Sequence, residues 1–147
     1  MSAGGDLPTE AQWEYAARGG DSYEYAGSDN AEEVAWYSVN SQDSTQPVKT
    51  KRANGYGLYD MSGNVWEWTL DQWNINYQDA PSQAETPRGG VPPCIPVCEG
   101  VSSLSRRVLR GGGWGNNAMS IRVARRNNGS EDIQINNLGF RVRRTLP

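Results

Sequence analysis

The chain has 147 residues, a formal net charge of −3 and 36% hydrophobic residues, which predicts one domain with a modest core. It contains no histidine, which excludes Ser-His-Asp and Cys-His catalysis, histidine-ligated iron and the common catalytic zinc sites. No apolar run approaches the roughly 20 residues of a membrane-spanning helix. No targeting signal is visible either, so the compartment stays open, with secretion or cell-surface display among the options.

The charge is divided unevenly along the chain. Residues 1–105 hold five Lys or Arg and fifteen Asp or Glu, whereas residues 106–147 hold nine Arg and two acidic residues. An arginine-rich end is typical of nucleic-acid binding, but here the arginines alternate with apolar residues, as arginines on strands do. We therefore expect them to pair with the acidic first part, and nucleic acid is an unfavoured partner. The arginines concerned are Arg107, Arg110, Arg122, Arg126, Arg141 and Arg143.

The first element in chain order is a helix predicted over residues 10–18. Thr9 can cap its N-terminus, and Gln12 three residues later completes a capping box. Gly19 can end the helix, because glycine readily adopts the left-handed conformation of a C-cap. Trp13 shares one face with two alanines at helical spacing, so we expect the helix to dock through this indole.

A loop-rich segment and a strand follow the helix. Residues 19–53 are mostly loop, with an anchor around Trp36. Alternation over residues 65–69 places Trp66 and Trp68 on one face of a strand. We interpret that face as core packing rather than as a stacking platform.

The chain then makes a long excursion over residues 72–105, which are rich in Pro, Gln and Ser and lack periodicity. This segment contains Cys94 and Cys98, and two thiols alone cannot complete a four-cysteine metal site. A local disulfide and two free thiols both remain open. Three short strands are predicted afterwards, near residues 107–110, 121–125 and 140–143.

Four motifs are spread over nearly the whole chain. They are Leu-Pro-Thr-Glu-Ala-Gln-Trp-Glu-Tyr-Ala-Ala-Arg-Gly-Gly at 7–20, Asn-Gly-Tyr-Gly-Leu-Tyr-Asp-Met-Ser-Gly-Asn-Val-Trp-Glu-Trp at 54–68, Arg-Val-Leu-Arg-Gly-Gly at 107–112 and Leu-Gly-Phe-Arg at 138–141. In this order they resemble the formylglycine-generating-enzyme (sulfatase-modifying-factor) domain. The resemblance implies one α+β domain over residues 1–147 with a C-type-lectin-like fold: a small twisted antiparallel sheet, long ordered loops and one or two helices. The family usually has a further strand and helix before the first motif, so the chain is either a fragment or a reduced scaffold.

The resemblance does not extend to the family's active site. The oxidase of this family holds copper with a pair of cysteines after the Arg-Gly-Gly motif, and soft thiolates suit copper(I). The corresponding residues 114–125 contain no cysteine, and Asn116 stands where the first would fall. Neither copper nor catalysis is therefore expected. The alternative is an enzyme of this family with a different or lost active site.

Residues 107–141 also resemble the variable region of proteins diversified by retroelements. In that system an error-prone reverse transcriptase randomises adenines, so that AAC codons for Asn become codons for Gly, Ser, Ile, Arg or Asp. The resemblance implies a fixed frame that carries a diversified recognition surface for a macromolecule, either a protein or a glycan. The candidate surface residues are Gly113, Gly115, Asn117, Met119, Ser120, Ile121, Arg125, Asn127, Asn128, Gly129, Ser130, Ile133, Gln134, Ile135 and Asn136.

Four of these candidates are apolar, namely Met119, Ile121, Ile133 and Ile135. If they are exposed, as the resemblance implies, they form part of a binding patch. The alternative is that each is an ordinary core residue beneath a loop, because isolated apolar residues carry little periodic information.

The resemblance also implies one structural calcium. The family binds this ion through a loop Asn or Asp, two backbone carbonyls and the Glu of a Gly-Asn-x-Trp-Glu-Trp motif, and such oxygen ligands suit a hard cation. The matching ligands here are Asp60, the carbonyls of Gly63 and Val65, and Glu67. In the alternative interpretation, the two carboxylates cap turns or pair with the C-terminal arginines. The ligand's identity and the oligomeric state stay open.

Overall fold

The computed structural model describes residues 5–73 and 106–144. These residues form two helices, α1 (Glu10–Arg18) and α2 (Ala31–Val34), and a 3₁₀ turn at Ala118–Ser120. They also form four strands: β1 (Trp66–Gln72), β2 (Arg106–Arg110), β3 (Arg126–Ser130) and β4 (Leu138–Gly139). Most of the predicted excursion, including Cys94 and Cys98, lies outside the described residues. None of the described helices is long and apolar enough to cross a membrane.

Helix α1 begins and ends where its sequence predicts. The Thr9 hydroxyl accepts a hydrogen bond from the Gln12 backbone N–H at 3.2 Å, and the Gln12 side chain accepts one from the Thr9 N–H at 3.0 Å. These reciprocal bonds satisfy two of the donors that a helix N-terminus leaves free. Gly19 adopts the left-handed conformation and ends the helix. Trp13 is buried and docks the helix against the sheet.

The four strands form one mixed sheet with the order β3-β2-β1-β4. The pairs β1–β2 and β2–β3 are antiparallel, but β4 pairs with β1 in parallel. The sheet is therefore not purely antiparallel as expected. Strand β4 is held by long-range backbone pairing, in which the Trp66 N–H donates to the Asn137 carbonyl at 2.8 Å. Sequence alternation shows which face a side chain occupies but does not set the direction of such a partner.

Two strand predictions were wrong in position. Residues 121–125 form turns, and β3 begins only at Arg126. Ile121 and Val123 are both buried, so their alternation reflects insertion into the core from a turn. The last strand lies at Leu138–Gly139 rather than at residues 140–143, and Phe140 is exposed.

The strand register gives the sheet two distinct faces. Glu67, Arg110 and Arg126 are direct partners across three strands and point toward α1. Trp68 pairs with Leu109 on the opposite face. Trp66 and Trp68 share that face, as alternation predicts.

The buried hydrophobic residues form two clusters. The first contains Tyr25, Ala31, Val34, Ala35, Tyr37 and Ile121. The second contains Trp13, Ala17, Ala26, Met61 and Val123. Each cluster takes one residue from the turn before β3, so burial of these two side chains fixes the turn against both helices.

Candidate ligand-binding surface

The candidate surface residues divide by exposure into three groups. The exposed ones are Gly115, Asn117, Met119, Arg125, Asn127, Gln134, Ile135 and Asn136. The half-buried ones are Ser120, Asn128, Ser130 and Ile133, and the buried ones are Gly113, Ile121 and Gly129. Most of the predicted set is therefore accessible, and three members are not.

The prediction that Ile121 is exposed was wrong. Its side chain has 0% exposed area and packs in the first hydrophobic cluster. Gly112 lies against it with a φ of +76°, and a Cβ added there would lie 2.6 Å from the Ile121 Cγ2. The physical reason is that the 3₁₀ turn ends at this residue and directs its side chain inward. A single apolar residue in a segment without periodicity does not indicate this.

The two buried glycines also need correction. A Cβ on Gly129 would lie 3.0 Å from the Trp68 ring and 3.2 Å from the Leu109 side chain. A Cβ on Gly113 would lie 3.2 Å from the Asn137 Cβ. A side chain at either position would force these packed neighbours to shift, so we assign both glycines to the frame.

The exposure predicted for Met119 and Ile135 is confirmed, since their exposed fractions are 66% and 46%. Ile133 is half-buried. With Ile135 it lines an open groove of about 420 Å³ that also includes Trp68 and Phe140. The sequence predicted Trp68 in the core and Phe140 in a strand, because alternation indicates a face but not whether another element covers it.

The backbone beneath the exposed side chains is held by specific hydrogen bonds. The Asn116 carbonyl accepts from the Ser38 N–H at 3.0 Å, and its side-chain oxygen accepts from the Gly113 N–H at 2.8 Å. The Asn117 side chain caps the 3₁₀ turn by accepting from the Ser120 N–H at 3.2 Å. Asn116 therefore closes a turn through its side chain.

Ion pairs tie the arginine-rich end to the acidic first part, as the charge pattern predicts. Glu10 accepts from Arg110 at 2.9 Å and from Arg126 at 2.6 Å. Arg110 has 0% exposed side-chain area and also pairs with Glu14 at 2.6 Å. Removing one partner of such a buried pair typically costs about 3–5 kcal/mol, because the remaining charge stays buried.

Four further arginines were expected to make the same kind of pair. Among them, Arg143 donates to the Leu7 carbonyl at 3.4 Å. Arg122 lies 3.7 Å from Glu24, and Arg141 lies 2.6 Å from Glu67. Arg107 instead pairs within the C-terminal part, with Glu131 at 2.7 Å.

Two carboxylates near α1 have shifted pKa values. Burial would raise the pKa of Glu14, but hydrogen bonds and charge from Arg18 and Arg110 outweigh burial and lower the pKa below its usual value. Burial raises the pKa of Asp71, although this carboxylate accepts a hydrogen bond from the Glu10 N–H at 2.5 Å.

The residues matched to the calcium site do not fit a metal ion as they are arranged. Arg141 donates to both Glu67 carboxylate oxygens at 2.6 Å, and its Nη2 also lies 3.2 Å from the Tyr59 carbonyl. Glu67 accepts a further bond from the Trp13 indole at 2.6 Å. Asp60 accepts from the Lys49 N–H at 2.9 Å, a contact between residues eleven positions apart in the chain.

A guanidinium therefore stands where a cation would be coordinated by Glu67. Among the described residues there is no group of three or more His, Cys, Asp or Glu side chains that could hold a metal. This arrangement agrees with the alternative interpretation of Glu67, which pairs with a C-terminal arginine.

Comparison with known proteins shows the family of this chain. The sequence model of the family described as the sulfatase-modifying factor enzyme 1-like domain matches residues 2–146. The chain belongs to this family. It is 39% identical to the formylglycine-generating enzyme of Streptomyces coelicolor over 157 aligned positions, which cover 95% of this chain and 46% of that enzyme.

Two solved structures of the same fold are similar to this one. Treponema denticola variable protein 1 superposes with a TM-score of 0.77 at 38% identity, over 95% of this chain and 47% of that chain. PvdO from Pseudomonas aeruginosa superposes with a TM-score of 0.71 at 30% identity, over 94% and 51%. The chain thus spans about half the length of the relatives that it matches. The fold is the C-type-lectin-like α+β fold that the motifs imply.

Proposed function

We propose that this protein is a non-enzymatic binding protein whose residues 113–136 display a diversified recognition surface generated by a retroelement. The observation that carries the proposal is a contrast in this segment between exposed side chains and a backbone that is held in place by contacts with the rest of the domain. Hydrogen bonds, a buried side chain and an ion pair on the inner side of the segment fix the backbone that carries these exposed side chains. A fixed main chain lets exposed positions change at small energetic cost, whereas buried positions cannot change without loss of stability.

Specific contacts supply that fixation at intervals along the segment. Asn116 is bonded to Ser38, Ile121 is anchored in the core, and Arg126 is clasped by Glu10. Between these anchors lie the exposed Met119 and Arg125. The similarity to Treponema denticola variable protein 1 supports the same assignment.

The expected ligand is a protein or a glycan rather than a small molecule. The exposed candidates lie on open surface, and the groove beside Trp68 is shallow. Met119 and Ile135 expose apolar area of the kind that anchors macromolecular interfaces. Deep, mostly enclosed pockets are the usual sites for small ligands.

The proposal is tested by sequencing this locus and its flanking DNA in sibling isolates. We expect substitutions to be confined to the eight exposed and four half-buried candidate positions, together with a near-copy of the 3′ coding segment and a reverse-transcriptase gene nearby. Gly113, Ile121 and Gly129 serve as internal controls, because they lie in the same segment but are buried. Substitutions as frequent in α1 and β1 as in residues 113–136 would contradict diversification.

The relationship to the Streptomyces coelicolor enzyme supports a second candidate, an enzyme of this family with a different or lost active site. Incubation with a cysteine-containing peptide substrate of that enzyme, followed by mass spectrometry for the aldehyde product, distinguishes the two. We expect no product with or without added copper, because residues 114–125 contain no thiolate ligand. Product formation would favour the enzyme.

A further inference from the structure

A cleft of about 520 Å³ opens between the end of α1 and the turn that leads into β3. Its described walls carry four arginines and a single acidic side chain. The arginines are Arg18, Arg122, Arg125 and Arg126, and the acid is Glu24. This concentration of positive charge contrasts with the net charge of −3 for the whole chain.

Three of the four guanidinium groups are held by carboxylates. Arg18 pairs with Glu14 at 2.7 Å, and Arg126 pairs with Glu10 at 2.6 Å. Arg122 lies 3.7 Å from Glu24, which is a looser contact. Such pairing fixes the orientation of these side chains and uses part of their capacity to bind a further anion.

Arg125 differs from the other three. Its side chain is exposed and makes no ion pair within the described residues. Its backbone N–H donates to the Arg122 carbonyl at 2.9 Å, so its main chain is held in a turn. An exposed guanidinium on a fixed turn that lines a cleft presents the planar fork of donors that matches a carboxylate.

Aromatic rings complete the cleft. The Trp73 ring lies beneath the Arg126 guanidinium, 4.7 Å from its central carbon to the ring centroid. Tyr23 also lines the cleft and is 39% exposed. The cleft therefore offers apolar walls for an aliphatic stem and positive charge for a terminal anion.

We propose that this cleft binds an acidic side chain of a protein partner, with Arg125 as the specificity-determining contact. The inference rests on the proposed function, since Arg125 is one of the candidate diversified positions, and it names the chemistry that this part of the surface recognises. A protein carboxylate suits the site better than nucleic acid does. The site is a short cleft that includes Glu24, rather than the basic stripe along a surface that is typical of duplex binding.

The test uses a fluorescein-labelled hexaglutamate peptide as the probe and fluorescence polarisation as the readout. We expect the intact protein to bind it, and Arg125→Gln to weaken binding by about tenfold or more, because a charge-assisted bidentate contact is lost. Arg125→Lys keeps the charge but not the fork, so an intermediate loss is expected. Binding should also weaken between about 50 mM and about 200 mM NaCl.

Arg52→Gln is the matched control. Arg52 is also an exposed arginine, but it pairs with Glu33 at 2.9 Å and does not line the cleft. The variant changes the net charge equally and should bind the probe as the parent does. An equal loss in both variants would overturn the inference, because it would show nonspecific attraction.

Two other probes complete the test. A hexaglutamine peptide should not bind. A short DNA duplex that binds more tightly than hexaglutamate would overturn the inference in favour of nucleic acid, and absence of hexaglutamate binding would overturn it outright. The isolate sequencing is independent: confined variation without peptide binding would refute the cleft assignment alone, and peptide binding without confined variation would refute diversification alone.

Discussion

Replacing Ile121 by Ala should destabilise the protein strongly, although this residue lies within the candidate surface segment. Its side chain is fully buried and packs with Tyr25, Val34 and Tyr37. Ile→Ala substitutions in such sites cost about 2–5 kcal/mol, because apolar burial is lost and a cavity remains. At roughly 2–4 °C per kcal/mol for a domain of this size, a loss of about 3 kcal/mol lowers the melting temperature by about 6–12 °C.

The measurement is urea unfolding followed by tryptophan fluorescence, with Met119→Ala as the control. Met119 lies two residues away and is 66% exposed, so its truncation should change the free energy of unfolding by about 0.5 kcal/mol or less. A value for Ile121→Ala that is also within about 0.5 kcal/mol of the parent would refute the anchoring role of this residue. It would also contradict the proposal that contacts with the core hold the backbone of residues 113–136 in place.

Two remaining predictions concern charge. Because the pKa of Glu14 is lowered in the folded protein, the stability that it contributes is present above its usual value of 4.5 and is lost as pH falls below it. Glu14→Gln should therefore show a shallower loss of stability than the parent between about pH 5 and about pH 3 in urea titrations, and an unchanged slope would contradict the assignment. Because Arg141 occupies both oxygens of Glu67, melting curves in EDTA and in calcium chloride should coincide; a clear rise in melting temperature with calcium would show that the ion displaces the guanidinium.

Local signals predicted the first helix to the residue. The cap formed by Thr9, the return bond from Gln12 and the stop at Gly19 all act within one or two turns of backbone. Their geometry is fixed by neighbours in sequence, so no tertiary information is needed to recognise them.

The position of β3 could not be predicted in the same way. Its sequence, Arg-Asn-Asn-Gly-Ser, has no apolar alternation, because it is an edge strand held to β2 by backbone hydrogen bonds. The alternation that suggested a strand lies in the preceding turn, where Ile121 and Val123 enter two different clusters. Two alternate residues are therefore buried here although the segment is not paired with another strand among the described residues.

The candidate site was predicted as a segment better than residue by residue. The pairing of Arg110 and Arg126 with the acidic first part followed from charge distribution and strand alternation. The burial of Gly129 on β3 could not be predicted, because it depends on contact with the Trp68 side chain of β1, which lies on the other side of β2 in the sheet. The competition between Arg141 and a metal for Glu67 likewise requires the tertiary contact to be known.

The ion pairs of Glu10 with Arg110 and Arg126 have a consequence for folding during translation. The two guanidinium groups that neutralise this buried carboxylate arrive 100 and 116 residues later in translation. A nascent chain that has emerged only through β1 would have to desolvate the carboxylate without compensation, which costs several kcal/mol. Helix α1 should therefore remain undocked on the ribosome until β3 has left the exit tunnel, and assembly of this domain should follow synthesis rather than accompany it.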